Sequence, residues 1–161
     1  MKRINLLHLL ILTSCVSVQL QKPLVLEKSK YYSLVVPSKP FVRMEQTGMD
    51  QYWRNAKNAN SISLQTACSE NYDPSFQDLS YQNIQGIDEI KKVVESKFDY
   101  NSRVGLKSEY EGLVDGISVV IKLVVFKKNN CSYVISYFGK KQSIESDLHT
   151  FNKFVNNFRV K

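Results

Sequence analysis

The chain has few of the residues that catalytic and metal sites most often use. Its 161 residues include two histidines, three cysteines and six glycines. A Ser-His-Asp or Cys-His arrangement would have to use His149, and nothing near it in the sequence suggests a partner. The glycines never reach a phosphate-binding spacing, and a structural zinc site needs about four Cys or His ligands. We therefore expect no catalytic residue, no metal and no cofactor.

A long apolar run is also missing. A membrane-spanning helix needs about 20 apolar residues, whereas the run from Ile4 to Leu12 is about half that length and contains Asn5 and His8. Two basic residues precede this run, and small and polar residues follow it. This layout is typical of a cleaved secretory signal rather than of a transmembrane span.

The end of this segment, Leu12-Thr13-Ser14-Cys15, resembles the bacterial lipobox, in which a leucine and two small residues precede an obligatory cysteine. The resemblance implies that the Cys15 thiol receives lipid and that cleavage occurs before it. Residues 1–14 would then be a lipoprotein signal peptide, residues 15–30 a lipidated N-terminus and tether, and residues 31–161 one globular domain. Two or three acyl chains would anchor the protein stably. The alternative is an ordinary signal peptide in which Cys15 occurs by chance.

Two cysteines, Cys68 and Cys131, remain once Cys15 is assigned to lipid. Exported proteins occupy oxidising compartments in which disulfides form and persist, so we favour a bond between them. The bond would close a loop of about 60 residues and stabilise the fold by roughly 4 kcal/mol by chain-entropy reasoning. The alternative is two separate buried thiols, which pack as small apolar side chains.

The distribution of β-branched and aromatic residues predicts a strand-rich domain. The pairs Asn101-Ser102 and Asp115-Gly116 separate strand-like runs, and an Asp-Gly pair in that position is a strong hairpin signal. Alternation in residues 60–68 predicts a half-buried strand, and apolar residues on both faces of residues 117–127 predict a central one. The predicted strands cover residues 31–36, 41–46, 52–54, 60–68, 90–100, 103–113, 117–127 and 131–138.

Two helices are predicted. Ser75 is a suitable N-cap for the first, over residues 76–85, and Gly86 would end it. The second lies at the C-terminus, where Ser143 is a suitable N-cap and acidic residues at 145 and 147 suit the helix dipole. Its apolar residues recur at helical period as one stripe, which indicates packing on a core: Ile144, Leu148, Phe151, Val155 and Phe158.

The order of these elements resembles that of PsbP-like domains, the fold shared by the extrinsic photosystem II protein and a Ran-binding nuclear import factor. More narrowly, the chain resembles small lipoproteins of deltaproteobacteria. The resemblance covers residues 31–161 and implies an α+β fold, a sandwich in which helices pack on an antiparallel sheet of about six or seven strands. It gives almost no guide to function, because functions within the superfamily differ widely. The residues on which the resemblance rests are Val36-Pro37, Trp53, residues 61–68, Leu113-Val114-Asp115-Gly116, residues 131–134, Phe154 and Phe158.

The formal net charge of +7 is spread along the chain. Removal of Lys2 and Arg3 with the signal would lower it to +5. No dense basic run of the kind found in nucleic-acid-binding arms occurs, so we expect no nucleic-acid partner. The simplest interpretation is a solvated basic surface. The alternative is attraction to anionic lipid headgroups, with the pairs Lys127-Lys128 and Lys140-Lys141 orienting the domain.

Glu109 and Glu111 share one face of a predicted strand, and Asp115 follows in a turn. We interpret them as a solvated face, the alternative being a cation site or an acid-base pair.

Together these observations predict a non-enzymatic lipoprotein of the bacterial cell envelope. The lipid anchor would hold it at a membrane, the outer membrane facing the periplasm, as an accessory module for an unidentified envelope protein. The alternative function is binding of a small apolar or lipidic ligand between sheet and helices. The sequence predicts no oligomeric state.

Overall fold

A computed structural model describes residues 24–161. Seven of its strands form one antiparallel sheet in the order β2-β3-β4-β8-β7-β6-β5, and β1 pairs with β9 in a separate ribbon. This architecture confirms the predicted α+β fold with an antiparallel sheet and a C-terminal helix. The elements are β1 (Tyr32–Ser33), β2 (Phe41–Met44), β3 (Gln51–Asn55), β4 (Ser61–Cys68), α1 (Phe76–Gln82), β5 (Asp88–Tyr100), β6 (Arg103–Val114), β7 (Ile117–Lys128), β8 (Cys131–Lys140), a 3₁₀ turn (Ile144–Asp147), α2 (Leu148–Asn157) and β9 (Arg159–Val160).

Three two-residue turns connect the four long strands from β5 to β8. The turn residues are Asn101-Ser102, Asp115-Gly116 and Asn129-Asn130, and all six have positive φ. Positive φ at both central positions is the requirement of a type I′ hairpin turn, whose twist matches that of the flanking strands. Five of the six residues are Asn, Asp or Gly, which tolerate this conformation best, so the local sequence favours all three hairpins.

Helices cover both faces of the sheet. On one face α2 packs over an aromatic core, in which Trp53 meets Phe154 edge to face at 5.4 Å between ring centroids and Phe126 stacks on Tyr133 at 4.8 Å. On the other face α1 contributes Leu79 to a second cluster. Burial of each large apolar side chain stabilises the fold by about 1.5–3 kcal/mol, so both layers contribute to stability.

The strand β4 is not half-buried as its alternation predicts. Ile62 and Leu64 enter the aromatic core, but Ser61 and Ser63 on the opposite face are also buried. The Ser63 hydroxyl forms a hydrogen bond with the hydroxyl of Ser136 on β8. The strand lies inside the sheet between β3 and β8, so its serine side chains are shielded from water, and the Ser63 hydroxyl has its hydrogen-bond partner within the protein.

The first strand is shorter than predicted. It contains only Tyr32 and Ser33, which pair with Val160 and Arg159. Val35 and Val36 continue the apolar sequence but are exposed. A strand needs a neighbour for its backbone hydrogen bonds. The pairing is antiparallel, so residues after Ser33 would need partners before Arg159, where the chain is still leaving the helix α2.

The C-terminal helix begins later than predicted. Residues Ile144–Asp147 form a 3₁₀ turn, the α-helix starts at Leu148, and the chain becomes extended at Phe158. Ser143 does not cap the helix; its hydroxyl donates to the Asn60 side-chain oxygen at 3.1 Å and to the Lys140 carbonyl at 3.3 Å. A tertiary contact therefore replaces the predicted local cap.

Candidate functional site

The predicted site residues fall into two groups. Cys15 lies outside the described residues. Cys68 and Cys131 are joined by a disulfide between β4 and β8, where they lie directly opposite each other in register. This is the pairing favoured from the cysteine count. It joins neighbouring strands at one end of the sheet.

The segment that follows the predicted tether is attached at the same end. The Glu27 amide donates to the Cys68 carbonyl at 3.1 Å, and the Cys68 amide donates back to Glu27 at 2.8 Å. Two residues further on, the buried Ser29 donates its amide to Thr66 Oγ1 at 2.8 Å and shares a 2.9 Å hydrogen bond with the Tyr133 hydroxyl. Contacts with the sheet therefore begin at Glu27, four residues before the domain boundary predicted at Tyr31.

A groove of about 270 Å³ lies between α2 and the strands β5, β6 and β7. Its apolar part comes from both the helix and the sheet, and its polar part is formed by charged strand residues and two helix asparagines. It is slightly smaller than the roughly 300–1,000 Å³ common for small-molecule sites. The groove is lined by Val94, Ser96, Lys107, Ser108, Glu109, Lys122, Leu123, Val124, Leu148, Phe151, Asn152, Val155 and Asn156.

The carboxylates predicted to share a strand face each have their own lysine. Lys122 Nζ lies 2.6 Å from Glu109 Oε2, and Lys141 Nζ lies 2.7 Å from Glu111 Oε2. The Lys122–Glu109 pair is partly buried, whereas Lys141 in the second pair is exposed, so the face is solvated only in part. Each carboxylate is thus engaged by a lysine and not by the other carboxylate.

A network of buried amides surrounds Asp147 at the beginning of α2. Its Oδ2 accepts hydrogen bonds from the side-chain amides of Asn55 at 2.9 Å, Asn58 at 2.7 Å and Asn60 at 2.9 Å. Burial raises the pKa of the Asp147 carboxyl, but these bonds and one from Ser146 outweigh it and hold the pKa below its ordinary value. The network fastens the β3–β4 turn to the helix.

The same network continues into the core through Tyr137. Asn60 donates to the Tyr137 hydroxyl at 3.1 Å, and that hydroxyl donates to the Ile144 carbonyl at 2.6 Å. Burial, together with the negative charge of Asp147, raises the pKa of the Tyr137 hydroxyl above its ordinary value. The phenol therefore stays protonated and acts as a structural donor.

His149 is exposed on α2 beside a hollow of about 130 Å³ that also includes Val35, Pro37 and Lys153. Its ring lies 3.4 Å from the Thr150 hydroxyl. Within residues 24–161, no three His, Cys, Asp or Glu side chains are placed to hold a metal ion. In that same part of the chain, no helix has the length and apolar character needed to cross a membrane.

Sequence analysis offered a ligand site between sheet and helices as an alternative, but it did not identify the residues of the groove or the asparagine network. Asn55, Asn58 and Asn60 are close in sequence but resemble ordinary turn residues. Nothing in the local sequence indicates that these three side chains contact a buried acid about 90 residues later in the chain. The groove likewise combines residues from three strands and a helix that are distant in sequence.

Comparison with known proteins shows the fold. The chain is similar to cyanobacterial PsbP (CyanoP) from Synechocystis sp. PCC 6803, with a TM-score of 0.60 and 14% identity over 93% of this chain and 99% of that chain. LpqN of Mycobacterium tuberculosis, described as involved in cell envelope biogenesis, matches with a TM-score of 0.47 and 10% identity over 85% of this chain and 82% of that one. No family model and no curated protein matches the chain. The likeness to CyanoP agrees with the PsbP-like fold that the sequence resemblance implied.

Proposed function

We propose that this chain is a lipid-anchored accessory protein of the bacterial cell envelope, of the deltaproteobacterial lipoprotein type, that binds an envelope protein and catalyses no reaction itself. Cys15 is the proposed lipidation site, and the outer membrane facing the periplasm is the proposed location. The observation that carries the proposal is the disulfide between Cys68 and Cys131. Such bonds belong to oxidising compartments, and the lipobox-like residues before Cys15 supply a route to one.

The charged residues of the groove are engaged with neighbouring side chains. Glu109 and Lys122 neutralise each other at 2.6 Å, and Lys107 Nζ lies over the Phe98 ring at 4.4 Å from its centroid. Both lysines are thus engaged in holding strands together. A catalytic lysine or carboxylate would need to be free to exchange a proton with a substrate.

Metabolic labelling tests the anchor directly. Cells expressing the wild-type chain and fed a palmitate analogue should yield a labelled protein in the membrane fraction. Cys15→Ala should be unlabelled, because its side chain has no thiol to form a thioether. A matched Ser14→Ala variant should keep its label, since the residue before the cysteine needs only to be small. Equal labelling of wild type and Cys15→Ala would contradict the proposal.

The second candidate function is binding of a small apolar ligand, and the groove beneath α2 favours it. A fluorescent fatty acid such as dansyl-undecanoate should then bind saturably to the chain. Val94→Trp places a bulky ring in the groove and should abolish this binding. Val93→Trp provides a matched control, because Val93 is an exposed neighbour on the same strand that does not line the groove. Equal binding by both variants would exclude the groove as the site.

A further inference from the structure

The strand β5 forms one edge of the seven-stranded sheet. The ten consecutive residues from Asp88 to Lys97 are all exposed, and within residues 24–161 no strand pairs with the outer side of β5. The helix α1 packs on β6 and β7 and leaves this edge open. An exposed edge presents unpaired backbone N–H and C=O groups, which makes it a template for another strand.

Two irregularities protect the first half of this edge. The pairing of β5 with β6 shifts register between Asp88 and Lys91 and again between Lys92 and Val94. Bulges of this kind are a common defence against edge-to-edge association. From Val94 to Tyr100 the pairing is regular. This regular stretch is therefore the part of the edge to which another strand can be added.

The turn that ends β5 decides which backbone groups of this stretch are free. Tyr100 and Arg103 flank the two-residue turn at Asn101-Ser102 and therefore form a hydrogen-bonded pair. Bonded and non-bonded pairs alternate along an antiparallel ladder, so every second residue from Tyr100 back to Val94 bonds to β6. The residues between them, whose backbone N–H and C=O groups point outward, are Glu95, Lys97 and Asp99.

The regular stretch is complementary to itself in the antiparallel direction. With a twofold axis at Ser96, Glu95 of one copy lies opposite Lys97 of the other, and the reverse pair forms as well. Both residues point their backbone groups outward, so each pair can exchange two hydrogen bonds. Opposite charges that face each other across two strands are favourable. Within the described part of the chain Lys97 makes no ion pair, and Glu95 is paired only with Lys92 at 3.1 Å.

The same register covers exposed apolar surface. Val94 is 48% exposed, and it comes opposite Phe98 of the second copy on the face of the sheet that α2 occupies. Asp99 comes opposite Val93, in the bulge, where the regular ladder ends. Within this ladder no two like charges lie directly opposite each other. Backbone pairing, charge and apolar burial therefore favour one register.

Other registers are less complementary. An axis at Lys97 or at Glu95 brings two like charges directly opposite each other, which is unfavourable. An axis at Phe98 pairs Lys97 with Asp99, but Val94 then extends past the end of the partner strand and stays exposed. Among these registers, only the first combines opposite charges with burial of Val94.

Pairing also extends the groove beneath α2. Val94 and Ser96 line that groove, so it ends at the free edge of β5. In the pair, the groove floor continues into the second copy, whose Phe98 and Ser96 take the adjacent positions. The two sheets become one sheet of fourteen strands, seven from each copy. Both α2 helices lie on the same face, because the twofold axis is perpendicular to the sheet.

We propose that β5 is the interface of a symmetric homodimer, in which residues 94–98 of two copies pair antiparallel about Ser96 and join the two grooves. The ladder is short, and interfaces that bury less than about 1,200 Å² are typically weak, so the dimer exchanges with the monomer. This inference requires neither the lipid anchor nor the envelope partner of the proposed function.

A disulfide trap tests the register. Two residues of a non-hydrogen-bonded antiparallel pair have Cα atoms about 4.5 Å apart, within the range of a disulfide. The full chain carrying Cys15→Ser and Ser96→Cys should therefore form a disulfide-linked dimer on mild oxidation with copper phenanthroline, as seen by non-reducing electrophoresis.

The matched control is Lys97→Cys in the same Cys15→Ser background, at an equally exposed neighbouring position. In the proposed dimer the two Lys97 positions are offset by two residues along the strands, which places their Cα atoms about 8 Å apart, too far for a disulfide. The control should yield at least about tenfold less linked dimer. Equal linkage of the two variants, or no linkage of Ser96→Cys, would overturn the proposal.

Charge reversal provides a second test. In the Ser96→Cys chain, Glu95→Lys places lysines opposite each other, and Lys97→Glu places glutamates opposite each other. Each change alone should lower the yield of linked dimer on the order of tenfold. A mixture of the two variants, distinguished by affinity tags, should restore a linked heterodimer, because every directly opposite pair again has opposite charges.

Circular dichroism of each variant would show that the fold is retained. A mixture that links no better than the single variants would overturn the proposal. Linkage that ignores charge reversal altogether would overturn it as well, since random collision of exposed thiols does not depend on this pattern.

Discussion

The Asp147 network permits a quantitative prediction for the change Asp147→Asn. The carboxylate accepts from three amides, of which those of Asn55 and Asn60 are buried at 2% and 0% exposure. The asparagine carbonyl oxygen has two lone pairs and accepts from only two of the three amides. Asn60 also donates to the Tyr137 hydroxyl and the Ser143 carbonyl, so the loss falls on the buried Asn55 amide, whose one acceptor among the described residues is Asp147. An unsatisfied buried donor costs about 1–3 kcal/mol, and the lost charge assistance adds to this. We expect the free energy of unfolding to fall by about 2–3 kcal/mol.

Urea titration at pH 7, followed by the fluorescence of the buried Trp53, measures this loss. With a slope of about 2 kcal/mol/M, the unfolding midpoint should fall by about 1–1.5 M. Asp115→Asn is the matched control: it removes the same charge from an exposed type I′ turn, where asparagine is well tolerated. This control should change the free energy of unfolding by less than about 0.5 kcal/mol.

The pH dependence gives the prediction a second test. The pKa of Asp147 is lower in the folded protein than in the unfolded chain, where it is about 3.9. The unfolded state therefore takes up the proton at the higher pH. The contribution of Asp147 is complete above about pH 4 and is lost as the pH falls through the folded pKa. The difference in the free energy of unfolding between wild type and Asp147→Asn should therefore become smaller below pH 4. A difference in the free energy of unfolding that stays constant from pH 7 to pH 3 would refute the reasoning. A loss of stability no larger than that of Asp115→Asn would refute it as well.

Three further changes test the fold. Replacing both Cys68 and Cys131 by alanine should lower the free energy of unfolding by roughly 4 kcal/mol in urea, and an unchanged midpoint would exclude a stabilising disulfide. Gly139→Ala should destabilise by about 1–3 kcal/mol, because its Cβ would clash with Asn60 Oδ1; a neutral effect in thermal unfolding would show that Asn60 can move aside. Ser75→Ala should cost about 1 kcal/mol, since the Ser75 hydroxyl caps α1, and full stability by calorimetry would contradict that role.

Local sequence signals predicted much of the fold correctly. Ser75 caps α1 at the expected residue and forms a capping box with Asp78. The Asp115-Gly116 hairpin joins β6 to β7 as expected. Caps and tight turns depend on a few neighbouring side chains and their allowed φ values, so the sequence specifies them without knowledge of the rest of the chain.

Predictions failed where a distant residue competes with the local signal. Ser143 has the residue type of an N-cap, but its hydroxyl is taken by Asn60, 83 residues earlier. Ser61 and Ser63 alternate with apolar residues as on a solvated face, yet they are buried inside the sheet. Polarity indicates that a group needs a hydrogen-bond partner, but only the packing decides whether that partner is water or protein.

The sequence by itself determined the signal-like segment, the candidate lipid attachment at Cys15, the hairpin turns and the apolar stripe of the last helix. These features depend on residues adjacent in the chain or repeated at one period. Only the tertiary structure decided that Cys68 lies opposite Cys131, that the groove forms beneath α2, and that the amides of Asn55, Asn58 and Asn60 meet Asp147. The physical reason is that strand order brings distant segments together, and charge and burial act through space rather than along the chain.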